Sequence, residues 1–263
     1  MKRLTDADLR FLVETVAPER EDVDRVVELL RGKDDLIEPM LDDPRVIERI
    51  TSPEGPLTQL SPHLLFTLLL RQVQRDLREC GYVDEIEGRG RRLPVFEADR
   101  VVELLDDDAL REYLVALLCS FVRSRTTVVW FKNPRGWSKR RFSDLNLDDM
   151  IRLAQLAPRD LRPRFLRRAA DLTLFYSGVF PDHLTVEVAR PRTPFTAERT
   201  LRDYETEGRH YYELLARDPE PPELSPVFDT LSRHFTLARH ALNTLSDRYL
   251  GPQRQRYFHG PQN

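Results

Sequence analysis

Cysteine occurs only twice in 263 residues, at Cys80 and Cys119, which excludes a disulfide framework and any zinc site built on several thiolates. Glycine is scarce as well, at ten residues, and the phosphate-cradling loops that need it are missing. Gly88-Arg89-Gly90 lacks the third glycine and the preceding apolar strand of a dinucleotide site. No G-x-S-x-G places a nucleophile on a strained turn, and Cys119, inside an apolar run, reads as an inert buried thiol. The longest apolar run, Tyr113 to Val122 broken by Ser120, is too short to cross a bilayer as a helix. At the amino terminus Asp6 and Asp8 fall where a signal peptide needs apolar residues. A soluble, cytoplasmic protein with no membrane contact is expected, and the 40% hydrophobic content is enough to bury a core.

The net charge of −3 hides a strong internal polarity. Residues 1–120 carry 17 bases and 27 acids (−10), residues 121–168 carry 13 and 4 (+9), and residues 169–263 carry 11 and 13 (−2). Such a dipole either steers a polyanion to the middle of the chain or is neutralised by folding the acidic part onto the basic part. Arginine makes up 37 of the 41 bases, a bias that a G·C-rich genome accounts for as readily as recognition does.

Helical signals dominate. Thr5 and Asp8 form a capping-box start, and Val23 to Leu30 repeats the apolar spacing up to Gly32. Short helices are expected over Asp34–Leu41 and Asp43–Ile50, followed by a break at Ser52–Pro56. Residues 61–79 are apolar nearly all round and pair with residues 108–122 as the expected centre of a bundle. Between them, Glu97–Leu105 reads as a helix, and residues 82–96, with Gly88 to Arg92, read as an exposed loop whose arginines are neutralised by Asp84, Glu85 and Glu87.

The period changes at Thr126. Thr126 to Phe131 is β-branched and aromatic, Lys132 to Gly136 is turn chemistry, and Trp137 to Phe142 is the return strand. A five-residue connection sets Phe131 opposite Trp137, Val129 opposite Lys139 and Thr127 opposite Arg141. Helices resume over Leu145–Leu156 and Asp160–Tyr176, the second carrying Arg162, Arg164, Arg167 and Arg168, with i,i+4 partners at Asp160 and Asp171. Leu172 to Pro181 reads as a buried helix end capped by Gly178. Leu201, Tyr204, Gly208, Tyr211 and Leu215 are spaced 3-4-3-4, as are Phe228, Leu231, Phe235, Ala238, Leu242, Leu245 and Tyr249. With the Pro-rich Asp218–Pro226 linker between them, they predict a C-terminal antiparallel helical hairpin.

The expectation is a mainly α multi-helix bundle with one small basic β-hairpin at about residues 126–142. Its segments are an acidic helical stretch (1–58), a core (59–250) and a tail (251–263). Phe121 to Phe142 holds seven Arg or Lys, no acid and both tryptophans, so Arg123, Arg125, Trp130, Lys132, Arg135, Trp137, Lys139, Arg140 and Arg141 are the candidate contacts for nucleic acid or an acidic protein. The competing reading has both tryptophans plugging the hairpin onto the core. Two other functions stand beside binding: assembly as a homo-oligomer through Phe228, Leu231, Phe235, Leu242 and Leu245, and an enzyme with a composite site in the bundle. Glu207 and His210 form one Glu-x-x-His pair but no second pair exists, so neither a metal nor a cofactor is expected.

Overall fold

The computed structural model describes residues 4–52, 60–87, 91–122, 126–133, 136–185 and 199–251. Four short helices lead the chain: α1 (Asp6–Val16), α2 (Val23–Leu30), α3 (Asp34–Leu41) and α4 (Pro44–Thr51). The capping box at Thr5 forms as expected, and Asp8 also accepts from the backbone N–H of Ser61 at 2.9 Å, tying α1 to the start of α5 (Pro62–Cys80). After α5 come strands β1 (Val83–Glu87) and β2 (Arg91–Val95), then α6 (Ala98–Asp106) and α7 (Asp108–Phe121). A second strand pair, β3 (Thr126–Asn133) and β4 (Gly136–Ser143), precedes α8 (Leu147–Leu156) and α9 (Arg162–Val179). The chain closes with the short α10 (Asp182–Thr185), α11 (Leu201–Arg217) and α12 (Ser225–Leu245). The protein is a mainly α bundle, and no described helix is long and apolar enough to cross a membrane.

The bundle centres on α9 and α12. Every residue of α9 from Ala169 to Val179 is buried, as is α12 from Leu237 to Leu245, so neither helix has a wet side there. Helices α5, α7 and α11 pack around this pair, with Leu64 to Leu70 and Leu114 to Leu118 supplying the apolar contacts the sequence predicts. Helix α11 runs antiparallel to α12: Glu205 meets Arg239, Arg209 meets Thr236, and Tyr212 stacks on Phe228.

Two glycines permit this closeness. A Cβ at Gly208 would collide with the Phe235 ring and the Thr173 hydroxyl, and one at Gly178 would come within 2.7 Å of Leu242 Cβ. Gly178 is therefore a packing position inside α9 rather than the cap the sequence suggests; the helix runs on to Val179 because α12 covers it. The face of α11 is also rotated from expectation, with Tyr212 fully buried and Tyr211 half-buried.

Three further expectations are corrected. Residues 82–96 form the β1–β2 hairpin instead of a loop, with Val83 opposite Val95 and Glu87 opposite Arg91. Pro94 is tolerated because β2 is an edge strand of a two-stranded sheet. The β3–β4 ladder is slipped by one from the expected register: Lys132 lies opposite Trp137 and Asn133 opposite Gly136, because the strands continue further into the turn than five linking residues allow. Phe228, Leu231, Phe235, Leu242 and Leu245 are all 0% exposed, covered by the chain's own helices, so they cannot serve as a homo-oligomer surface without opening the core.

One polar network is sealed inside. The hydroxyls of Tyr113 on α7 and Tyr212 on α11 both donate to Asp171 on α9, at 2.5 and 3.0 Å, and the Arg167 guanidinium stands 3.9 Å from the same carboxylate. Burial raises the Asp171 carboxyl above the usual carboxylate range, against the opposing pull of Arg167 and the tyrosines. A raised folded-state value means the stability it contributes is complete below about pH 3.9 and is lost as pH climbs through the folded value.

Asp171→Asn keeps an acceptor for the tyrosines and cannot ionise. Its urea midpoint should gain on wild type as pH rises above about 4, and a pH-independent difference would refute this account. Gly208→Ala should lose about 1–2 kcal/mol, overpacking against the fully buried Phe235 outweighing the better helix propensity of alanine. Chemical denaturation of the variant tests it.

Candidate functional site

The basic hairpin is built on a rigid root. Phe121, the last residue of α7, is fully buried and stacks on Phe175 of α9 with ring centres 4.0 Å apart; Phe142, near the end of β4, is fully buried too. Arg168 of α9 joins the two roots. It donates to Ser120 Oγ at 2.8 Å before the hairpin and to the Asp144 carbonyl at 2.8 Å after it, while its guanidinium lies 3.8 Å from the centre of the Phe121 ring. Past β4, the Ser143 N–H donates to Asp149 on α8, and the Leu145 carbonyl accepts from Tyr176 at 2.6 Å. The ladder is thus held at its base by α8 and α9.

Of the candidate contacts, Trp130 and Lys132 lie on β3, and Trp137, Lys139, Arg140 and Arg141 lie on β4. The register sets Trp130 opposite Lys139, Trp137 opposite Lys132, Val129 opposite Arg140 and Val128 opposite Arg141. Arg123, Arg125 and Arg135 lie outside the described residues, as do the side chains of residues 126–141. The inward or outward setting of the tryptophans falls with them.

Three of the four arginines of α9 are engaged within the fold, while Arg164 is exposed. Arg162 donates to the Ala154 carbonyl, Arg167 packs over the Tyr113 ring and Arg168 is committed to the hairpin root. Acids of the amino-terminal helices are paired close by in sequence or on α5: Asp6 with Arg31, Asp24 with Arg10, Asp43 with Arg45, and Glu38 and Asp42 with Arg71. Glu207, the carboxylate of the Glu-x-x-His pair, is taken by Arg199 at 2.9 Å, and Arg199 also holds Asp148. Among the described residues no three His, Cys, Asp or Glu side chains gather as a metal site.

A second group of polar side chains escaped the sequence reading. Arg239 and His240 of α12 are each 1% exposed. Arg239 Nε donates to Glu205 of α11 at 2.7 Å, and its Nη2 donates to Glu85 of β1 at 2.5 Å. His240 Nε2 meets the same Glu85 oxygen at 2.6 Å, so Nε2 and Nη2, 3.1 Å apart, are two donors crowded on one acceptor. Burial pushes the Glu85 carboxyl up, but the hydrogen bonds and charges of His240 and Arg239 together outweigh it and hold the group at about 2. Glu85 sits 154 residues from Arg239, a distance at which no local spacing signals a pair.

Comparison of this chain with family models, with curated proteins and with solved structures finds no match.

A depressed folded-state pKa contributes stability above the unfolded value and loses it as pH falls through the folded one. The Glu85 contact should therefore persist at neutral pH and fail between about pH 4 and pH 2. Glu85→Gln should cost on the order of 2 kcal/mol at pH 7 and only a small part of that at pH 2, read from denaturation at both. Equal costs at the two values would reject the ion-pair account.

Proposed function

We propose that this is a non-catalytic binding protein that contacts nucleic acid through the β3–β4 hairpin. The observation that carries the reading is the run from Phe121 to Phe142: seven cations, no acid and two tryptophans, on a strand pair whose register sets each tryptophan opposite a lysine. Cations neutralise phosphates and release condensed counter-ions, and flat aromatic rings offer stacking platforms for bases, so this composition suits the backbone and the bases together. Each strand is eight residues long, about 27 Å of ladder, so its charges are spread along a line instead of converging on a point ligand. The clamp at the hairpin root supports the same reading: Arg168 and the buried Phe121 and Phe142 hold the base of the ladder, which lowers the ordering cost of docking. The catalytic alternative draws no comparable support, because the perturbed groups of the interior are occupied with one another.

Binding of a labelled oligonucleotide, measured across a salt series, tests the proposal. If about six of the cations touch duplex phosphates, the logarithm of the affinity falls against the logarithm of salt with a slope near −5. Arg140→Ala with Arg141→Ala lowers the magnitude of that slope by about 2 and weakens every sequence alike. A salt-independent affinity, or one indifferent to the double substitution, overturns it. Preference for an acidic polypeptide over both duplex and single strand assigns the surface to a protein partner.

A further inference from the structure

The buried group around Arg239 has more hydrogen-bonding capacity than the protein itself uses. Arg239 Nη1, His240 Nδ1 and both side-chain polar atoms of Asn243 are buried with no hydrogen-bond partner. Arg239, His240 and Asn243 are each 1% exposed and, at spacings of three and four, share one face of α12. A buried polar atom left unpaired costs about 1–3 kcal/mol, so four of them along one helical turn form an unusual concentration.

We propose that Arg239, His240 and Asn243 form a binding site for a small carboxylate-bearing molecule, with Glu85 as its built-in occupant and the β1–β2 hairpin as its lid. Glu85 already shows what the pair recognises: a single carboxylate oxygen draws both Arg239 Nη2 and His240 Nε2. That carboxylate is brought by a lightly held element. Strand β2 is exposed at Arg91, Arg92, Leu93 and Pro94, and Phe96 just beyond it is 84% exposed. The hairpin is anchored by the buried Val83, by the partly buried Val95 packed on the core, by Glu85 and by an ion pair between Arg92 and Asp247 whose arginine is 37% exposed. Departure of Glu85 does not release the arginine, because Glu205 grips its Nε from α11. Arg239 thus stays charge-compensated and oriented while the face toward β1 opens. A free carboxylate entering there replaces the Glu85 contacts and adds the donors that Glu85 leaves unused, Arg239 Nη1 and Asn243 Nδ2.

Thermal melts in acetate, against sodium chloride of equal ionic strength, test this with Glu85→Ala. The vacated position should let acetate raise Tm by about 2–4 °C, while wild type, whose Glu85 competes, binds acetate at least about tenfold more weakly. Adding Asn243→Ala in the Glu85→Ala background should cut acetate affinity about tenfold, an effect that simple filling of the space left by Glu85 would not produce. Inorganic phosphate at the same ionic strength should shift Tm less than acetate. Glu85→Ser, which also vacates the position, serves if the alanine variant does not fold. An acetate response absent from both variants overturns the proposal. So does one indifferent to Asn243, which reduces the cluster to a structural brace, and tighter binding of phosphate rejects the carboxylate assignment.

Discussion

The architecture turns on burying a guanidinium in a helix with no wet side. Among the described residues Arg239 is the largest fully buried side chain, and an unpaired charge there would be prohibitive. Two carboxylates meet that demand from different elements, Glu205 from α11 and Glu85 from β1. Each requires its own element to lie against α12. The antiparallel setting of α11 and the docking of the β1–β2 hairpin are thus consequences of one buried charge as well as of apolar packing. Gly208 contributes the remaining condition, since only a residue without a Cβ lets α11 approach Phe235 and Thr173 closely enough for Glu205 to reach.

The same logic, polar groups joining elements distant in sequence, recurs at the other end of the bundle. Asp171 gathers Tyr113 and Tyr212, so that α7, α9 and α11 meet at one carboxylate. Arg168 reaches both ends of the basic hairpin and positions it on the buried aromatic pair Phe121 and Phe175. Arginine in this chain acts repeatedly as a structural fastener. That narrows the basic surface: of the arginines following the hairpin, Arg162, Arg167 and Arg168 are engaged internally, and the concentration of cations that supports a binding role is on the ladder itself.

Much of the frame was legible from the residues because its signals are local. The Thr5 and Ser61 caps, Pro at the first turn of α4 and α5, and left-handed Gly81 after α5 each act within a few residues, and the helices they bound appear where expected. The 3-4 spacing of Phe228 to Leu245 likewise reads directly as a buried seam. Periodicity states that a face is buried without stating what covers it, which is why that seam also suggested self-association. Composition misled at residues 82–96, where glycines and charges read as a loop, because the pairing of β1 with β2 is completed by α12 more than 140 residues onward.

Sequence by itself determined the class of the fold, the capped starts of α1 and α5 and the concentration of positive charge between Phe121 and Phe142, since each depends on backbone preference, apolar spacing or the order of charged residues along the chain. Tertiary structure alone decided which carboxylates neutralise which cations, that Gly178 serves close packing rather than capping, and that Arg239 and His240 meet Glu85 of β1 in the interior. Electrostatic and steric partners are chosen by proximity in space, and Glu85 and Arg239, 154 residues apart, meet only through the packing of β1 against α12.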